Sequence, residues 1–371
     1  SKSMSKLSHP KYQQLKEHII ATIKEEQLKP GEKIWSENEL ANKFQMSRHT
    51  VRQAIGELVN EGWLYRIHGK GTFVDRRPDR EVRQARTIGV MTTYLNDYIF
   101  PSIIRGIDSV LSPKGYNIIL ASTYNKHEKE RLCLEKFLNT ELDGLIVETT
   151  KSALPNPNLD LYRQLSHSRK IPIIFIHGFY KDLDYSYVVE DDVEAGYLAT
   201  NHLLDLGHTR IGGIFKSDDI QGHYRFEGFS KACSLKGLEV CSSRILWFDT
   251  EQAEEKLGGC DNEQLDRLFE ECSALVCYND QVAMKVLDRA RSKGINIPED
   301  LSLVSFDDSQ LAVASEVKLT TVAHPQEKLG EEAARAILQM IAGKKKYHAI
   351  KMKPQLIVRG SSCEYKERTG G

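Results

Sequence analysis

From Ile88 to Ala323, short β-prone runs alternate with stretches of helical periodicity, and this alternation constrains the fold more than any other feature of the chain. The runs are Ile88–Thr92, Tyr116–Ala121, Gly144–Glu148, Pro172–His177, Ile211–Phe215, Arg244–Phe248, Ala274–Tyr278, Leu301–Phe306 and Thr320–Ala323. Helical patterns fill most gaps, as at Pro101–Ser112, Asn125–Asn139, Val193–Leu206, Gly222–Leu235, Gln281–Lys293 and Gln326–Ile341. Such alternation predicts an α/β body of parallel sheets flanked by helices on both faces. Residues 87–371 are close to the size at which one core stops growing, so two lobes are expected. Ligands of open α/β sheets bind beyond the C-terminal strand ends, and two facing sheets make a cleft there.

The first 75 residues follow a different plan. Tyr12, Leu15, Ile19, Ile20 and Ile23 recur at helical spacing, which predicts a helix from about Lys11 to Gln27, broken by Lys29-Pro30-Gly31. Ser36 with Glu39 three residues on reads as a capping box opening a second helix. Ser47 opens a third, whose apolar stripe is Val51, Ile55, Leu58 and Val59. Arg48, His49, Thr50, Arg52 and Gln53 point off that stripe. Two short helices in tandem, the second rich in Arg and Thr at its start, suit a major-groove reader. Trp63–Arg66 and Thr72–Val74 then flank a Gly-rich basic turn, His68-Gly69-Lys70-Gly71, predicting a hairpin wing.

The residues from Tyr12 to Val74 resemble the GntR family of bacterial regulators. The resemblance is carried by Pro30-Gly31-Glu32-Lys33-Ile34, Ser36-Glu37, Glu39-Leu40-Ala41, Ser47-Arg48, Thr50-Val51-Arg52 and Gly69-Lys70-Gly71-Thr72-Phe73-Val74. It implies double-stranded operator DNA as partner, contacted by Arg48, Thr50, Arg52 and the wing residues His68, Gly69 and Lys70. Ser36, Asn38, Ser47 and His49 complete the candidate DNA-binding set. Trp35 stands where that family usually has Pro, and Asn38 where many members have Arg. Asn still bonds adenine or phosphate, so the departure bears on which operator is read.

Charge agrees with this division. Residues 1–86 carry 17 Lys+Arg against 11 Asp+Glu, a net of +6, whereas the whole chain has a net charge of −1. A basic head on an acidic body suggests a nucleic-acid module. Residues 76–86 lack apolar periodicity, contain Pro78 and are rich in Arg, and read as a linker.

The polar residues just beyond the strand ends are the candidate ligand contacts: Asp97, Tyr98 and Phe100, then His177, Asp191, Tyr224 and Arg225, then Asn279, Asp280 and Asp307. Carboxylates, an arginine, an amide and an aromatic ring suit a sugar, whose hydroxyls bond charged planar groups while its apolar face stacks on a ring. Structural readings stand beside this one. Asp191 and Asn279 each fit a helix cap, Phe100 a core position, and His177 and His324 satisfied core histidines.

The body resembles the effector domain of the LacI/GalR family from about Thr87 to Arg359, and so is expected to be periplasmic-binding-protein-like. The matching strings include Ile104-Arg105-Gly106-Ile107, Leu142-Asp143-Gly144-Leu145-Ile146, His202-Leu203-Leu204-Asp205-Leu206-Gly207-His208, Arg225-Phe226-Glu227-Gly228-Phe229 and Asn279-Asp280. The resemblance implies that Asp191, Arg225, Asn279 and Asp307 contact the effector. Asp97-Tyr98 replaces the usual Asn-Pro. The pairing of the two modules, with Asp97-Tyr98-Ile99-Phe100-Pro101-Ser102 and Cys277-Tyr278-Asn279-Asp280, is similar to the arabinose-responsive repressors of Gram-positive bacteria. That implies a homodimer released from DNA by L-arabinose. Another pentose, a phosphosugar or a purine, or use of the ligand as a corepressor, stays open at this point.

Other classes fit poorly. No run approaches the ~18 apolar residues of a membrane helix, and Ser1–His9 lacks the apolar core of a secretory leader. Seven cysteines without a CxxC favour reduced thiols and a cytoplasmic setting. Gly71 follows Lys70 where a phosphate loop needs Ser or Thr, and neither HExxH nor a nucleophile elbow occurs. A DNA-tethered sugar-metabolising enzyme is therefore the weaker reading, and no cofactor or metal is expected.

Overall fold

A computed structural model describes residues 10–25, 27–75, 85–258 and 262–367. The head comprises α1 (Lys11–Lys24), α2 (Glu37–Phe44), α3 (Arg48–Asn60) and the antiparallel hairpin β1 (Leu64–Ile67) and β2 (Gly71–Val74). Its core gathers Leu15, Ile19, Ile23, Leu40, Val51, Ile55 and Leu58 with Trp63 and Val74. The expected capping box is present: Glu39 N donates to Ser36 Oγ at 3.1 Å, and Ser36 N donates to Glu39 Oε2 at 2.8 Å. Ser47 caps α3 by accepting from Thr50 N at 3.1 Å. α1 ends at Lys24 rather than near Gln27, because its apolar stripe ends at Ile23.

The body continues with β3 (Thr87–Thr92), α4 (Phe100–Leu111), β4 (Asn117–Ser122), α5 (His127–Leu138), β5 (Gly144–Glu148), α6 (Leu159–Arg163), β6 (Ile173–Ile176) and β7 (Ser186–Glu190). A second series follows: α7 (Asp192–Asp205), β8 (Ile211–Lys216), α8 (Ile220–Leu235), β9 (Ile245–Phe248), α9 (Ala253–Leu257), α10 (Glu263–Glu271), β10 (Ala274–Cys277) and α11 (Asp280–Ser292). The chain closes with β11 (Ser302–Asp307), α12 (Gln310–Ala314), β12 (Thr320–Ala323), α13 (Gln326–Ile341), β13 (Ala349–Met352) and β14 (Gln355–Ile357).

These strands form two six-stranded sheets, ordered β13-β7-β6-β5-β3-β4 and β14-β12-β11-β10-β8-β9. All body pairings are parallel except β12–β14, which is antiparallel and departs from the expected all-parallel arrangement. The chain passes between lobes at Glu190–Asp192, Ala323–Gln326 and Met352–Gln355, as the sheet memberships require. Each sheet is covered on both faces. Ile88, Val90, Ile146 and Ile174 pack under α4 and α13, and Met91, Leu145, Val147 and Phe175 pack on the other side. In the second lobe Leu275, Cys277 and Leu303 face one core, and Phe215, Val276 and Phe306 the other.

In both lobes the strand order reverses beside the first strand, at β3/β5 and at β8/β10. The loops leaving those strands diverge there and leave a crevice. The two crevices face each other. Helices α7 and α8 pack closely because Gly196 lies against the Arg225 carbonyl, where a Cβ would collide with backbone. This fixes the helix that carries Arg225.

Candidate functional site

On the head, Ser36, Asn38, Ser47, Arg48, His49, Arg52, His68, Gly69 and Lys70 are all exposed, and Thr50 is half-buried. The two serine hydroxyls are engaged as caps. Thr50 Oγ1 lies 2.8 Å from Ser47 Oγ, and Arg52 Nε donates to Glu37 Oε2 at 2.8 Å. Arg48 and His49 therefore stand at the N-terminus of α3 on the outer face, opposite the buried Val51, Ala54, Ile55 and Leu58. Gly69 and Gly71 adopt positive φ, 74° and 125°, which tightens the wing turn. The expected linker lies outside the described residues at 76–84, while the Ala85 and Arg86 amides each donate to the Asp143 carboxylate at 2.9 Å.

Between the lobes is a cavity of about 90 Å³. Its walls include Thr93, Tyr98, Phe100, Glu148 and His177 from the first lobe, and Lys216, Gln221, Arg225, Tyr278, Asn279 and Asp307 from the second. Three of these, Tyr98, His177 and Asp307, have left-handed backbone with φ of 56°, 65° and 101°. Non-glycine residues in that region are strained and tend to gather at functional sites.

Arg225 is the electrostatic centre. It is 2% exposed, and Nε donates to Asp192 Oδ1 at 3.0 Å while Nη1 donates to the Tyr278 carbonyl at 2.6 Å. Nη2 lies 3.7 Å from Asp307 and 3.8 Å from Glu190. Its guanidinium also lies 4.9 Å from the Tyr278 ring centre and 4.6 Å from that of Phe306. Glu190 is held mostly protonated: burial, together with Asp192 and Asp307, outweighs His177 and Arg225 and pushes it up to about 8.

His177 anchors the opposite wall. Its Nδ1 lies 2.5 Å from Glu148 Oε2, and its Nε2 lies 2.9 Å from Gln326 Oε1. Gln326 Nε2 donates to Glu190 Oε1 at 3.0 Å, which turns its carbonyl oxygen toward the histidine. Both ring nitrogens thus meet acceptors, and both carry protons. Burial alone would lower the histidine, but Glu148 overrides it and raises it to about 10. Burial likewise opposes ionisation of Glu148, yet His177 and Thr93 hold its carboxyl below the usual range. Tyr98 crosses the cavity: its hydroxyl donates to Asp307 Oδ2 at 2.5 Å and accepts from Asp280 N at 3.1 Å.

The cavity therefore brings together Tyr98, Phe100, His177, Arg225, Asn279 and Asp307 of the expected set. Phe100 also packs in the core, and Asn279 also caps α11, accepting from Val282 N at 2.9 Å. Asp97 is exposed and lines a separate outer groove. Asp191 caps α7 and, with Tyr224, borders a neighbouring hollow of about 510 Å³. Asp280 is buried and bonded to Ser305, Ser309 and Thr321, behind the cavity wall. Glu190 and Asp192 reach Arg225 instead, while the Asp191 carboxylate between them turns to the start of α7 and accepts from Glu194 N. Glu148, Glu190, Asp192 and Gln326 were missed by sequence reasoning; their signal was a carboxylate closing an otherwise apolar run, or the first turn after a crossover.

Among the described residues Glu190, Asp192 and His324 have ligand atoms within 4.8 Å of one another. Arg225 pairs with both carboxylates, so this cluster already has its cation. No helix among the described residues is long and apolar enough to cross a membrane.

A basic helix-and-wing head joined to a two-lobed body with a charged interlobe cavity defines a ligand-responsive, DNA-binding transcription regulator. Residues 11–74 match the family described as bacterial regulatory proteins, gntR family, and residues 200–362 match the periplasmic binding protein-like domain. The chain is 45% identical to the arabinose metabolism transcriptional repressor of Geobacillus stearothermophilus, over 97% of this chain and 100% of that one. It is equally similar to that of Halalkalibacterium halodurans, over 97% and 98%. The transcription regulator CcpA of Lactococcus lactis superposes with a TM-score of 0.66 at 26% identity, covering 74% of this chain and 98% of that one. A CelR–cellobiose complex superposes at 0.67 with 24% identity, covering 85% and 90%, and shares the fold. The chain belongs to the family of arabinose metabolism transcriptional repressors.

Proposed function

We propose that this chain binds operator DNA as a homodimer in the cytoplasm and is released from it by L-arabinose. Residues 1–75 serve as the DNA-binding domain, 76–86 as linker and 87–371 as the effector-binding and dimerisation domain. The observation that carries the reading is the buried Arg225, fixed by Asp192 and flanked by Asp307, Tyr278 and Phe306 at a cavity of about 90 Å³. Preorganised charged groups and ring faces in a small space suit the hydroxyls and apolar face of a monosaccharide. The volume is well below the ~300–1,000 Å³ of sites for drug-sized ligands, which disfavours purine nucleosides. Glu148, Asp219 and Asp307 on the cavity wall, with Asp192 bonded to Arg225 behind it, disfavour a phosphosugar. Similarity to the arabinose repressors points to the pentose.

Arg48, His49 and Thr50 would meet the major groove, Asn38 and Arg52 its flank, and His68–Lys70 the backbone. The edge strand β4 exposes Ile119 and Leu120, with Leu132 of α5 beside them, an apolar edge that a second copy would cover. Sugar binding that favours closed lobes would change the spacing of the paired heads. A coupling of about 1–3 kcal/mol suffices for a 5–150-fold loss of operator affinity. Gel-shift titration with and without L-arabinose, beside calorimetry with pentoses, hexoses and purines, tests this. Operator binding unchanged at saturating L-arabinose would remove the inducer role.

A further inference from the structure

We propose that Lys151 is the positioning residue of an interlobe clasp that sets effector affinity without touching the effector; this rests on the reading of the cavity as the effector site. Lys151 stands on the loop after β5 with φ 43°, and its amide donates to Asn125 Oδ1 at 2.8 Å. Its Nζ reaches across to the second lobe, 2.9 Å from Asp218 Oδ2 and 2.8 Å from Glu251 Oε2. Asn125, wholly buried, spans the same gap, donating through Nδ2 to Thr250 Oγ1 at 2.7 Å and to Asp219 Oδ1 at 3.2 Å. Ser152 Oγ accepts from Ile220 N at 2.8 Å, and Ala153 N donates to the Asp218 carbonyl at 3.2 Å.

Apart from the Lys151–Asn125 bond, which ties the first-lobe loops together, each of these contacts joins the loops after β4 and β5 to the loops after β8 and β9. Lobes that swing apart break them together, so the clasp exists only when the lobes are closed. Neither Lys151, Asn125, Asp218, Thr250 nor Glu251 lines the cavity itself. The Lys151 and Asp218 side chains are 13% and 3% exposed, which protects the pair from water far better than a surface pair. Burial would raise the Asp218 carboxyl, but Lys216, Thr250 and Lys151 hold it below its ordinary range, so both partners are charged. A group that stabilises only the closed form adds to the affinity of any ligand that requires closure.

The test measures L-arabinose binding to the full chain by calorimetry, and operator binding without sugar by gel shift. Lys151→Met is expected to weaken L-arabinose binding about tenfold while sugar-free operator affinity stays within about twofold. Glu251, half-exposed, gives a variant that leaves the fold alone. Glu251→Gln is expected to lose about two- to threefold on its own and nothing further in the Lys151→Met background. Salt gives an independent readout. A neutral sugar has no salt dependence of its own, and only the Lys151–Glu251 arm is exposed to screening, so wild-type affinity should fall about two- to threefold as ionic strength rises and the Lys151→Met affinity should not. Folded variants with wild-type affinity and wild-type salt response would overturn the clasp while leaving the effector site intact. A wild-type chain that binds no pentose removes the effector site, a separate result.

Discussion

Arg169 Nε lies 3.1 Å from Asp75 Oδ1, so the residue that ends the wing hairpin is fixed to the first lobe of the body. The side chains are 9% and 3% exposed. The same guanidinium donates to the Leu138 carbonyl and lies 5.6 Å from the Tyr65 ring centre. At the other end of the hairpin, Lys70 Nζ is 3.1 Å from Glu135 Oε1. Head and effector lobe thus share a docked surface built on the β1–β2 hairpin, α5 and the segment that carries Arg169.

Truncating one partner of a buried ion pair weakens whatever the pair holds together. Arg169→Met is therefore expected to loosen the head. Amide hydrogen exchange across Leu64–Val74 should speed up about tenfold or more, while β5 and β6 stay protected. Equal protection in the two proteins would mean that docking does not depend on this pair.

The Lys70–Glu135 pair has the opposite consequence, because Lys70 is also a proposed DNA contact. Docked, the lysine answers a carboxylate instead of a phosphate. Glu135→Gln is expected to raise operator affinity at low salt, by up to about fivefold given the half-exposed lysine. The gain should vanish as salt rises. Filter-binding titrations at several ionic strengths measure it, and an unchanged or weakened affinity would separate this contact from DNA binding.

The head was legible in the sequence because its signals are local: two serine caps, an apolar stripe, and a Gly-rich turn between β-prone runs. The body's strand ends were also legible, which is why Arg225, Asn279 and Asp307 fell at the cavity. What failed was parity and distance. Asp191 was preferred to Glu190 and Asp192 because three consecutive acids carry no local sign of which turns inward. Strands β13 and β14 escaped because they are short and joined to the sheets only through crossovers. The Arg169–Asp75 pair links residues far apart in sequence, and no periodicity announces such a contact.

Arg225 is expected to be indispensable twice over. Arg225→Met removes the cation that the buried Asp192 carboxylate meets, and unfolding stability should drop by about 3–5 kcal/mol. Arg225→Lys keeps a charge but lacks the planar fork that meets Asp192 and the Tyr278 carbonyl from separate nitrogens, so it should retain the fold better than the sugar response. Thermal unfolding and calorimetry on the two variants separate these effects. Wild-type sugar affinity in either would remove Arg225 from the site.

His177 makes the body sensitive to alkali. Its folded value of about 10 stands above its ordinary 6.5, so the proton is held more tightly in the folded chain. The stabilisation is fully present below pH 6.5 and is lost as pH rises toward 10. Glu190, raised from 4.5 to about 8, adds a loss that begins near pH 4.5 and is complete near pH 8, so it overlaps the lower part of this window. Thermal stability is therefore expected to decline steadily from pH 7 to pH 10, without the neutral plateau that unperturbed groups would leave. The ¹⁵N shifts of the His177 ring give the direct check. They should keep the doubly protonated pattern through pH 8, because Glu148 and Gln326 both accept from the ring. A ring that titrates near 6.5 would mean that the Glu148–His177 pair is not the charged strut of this wall.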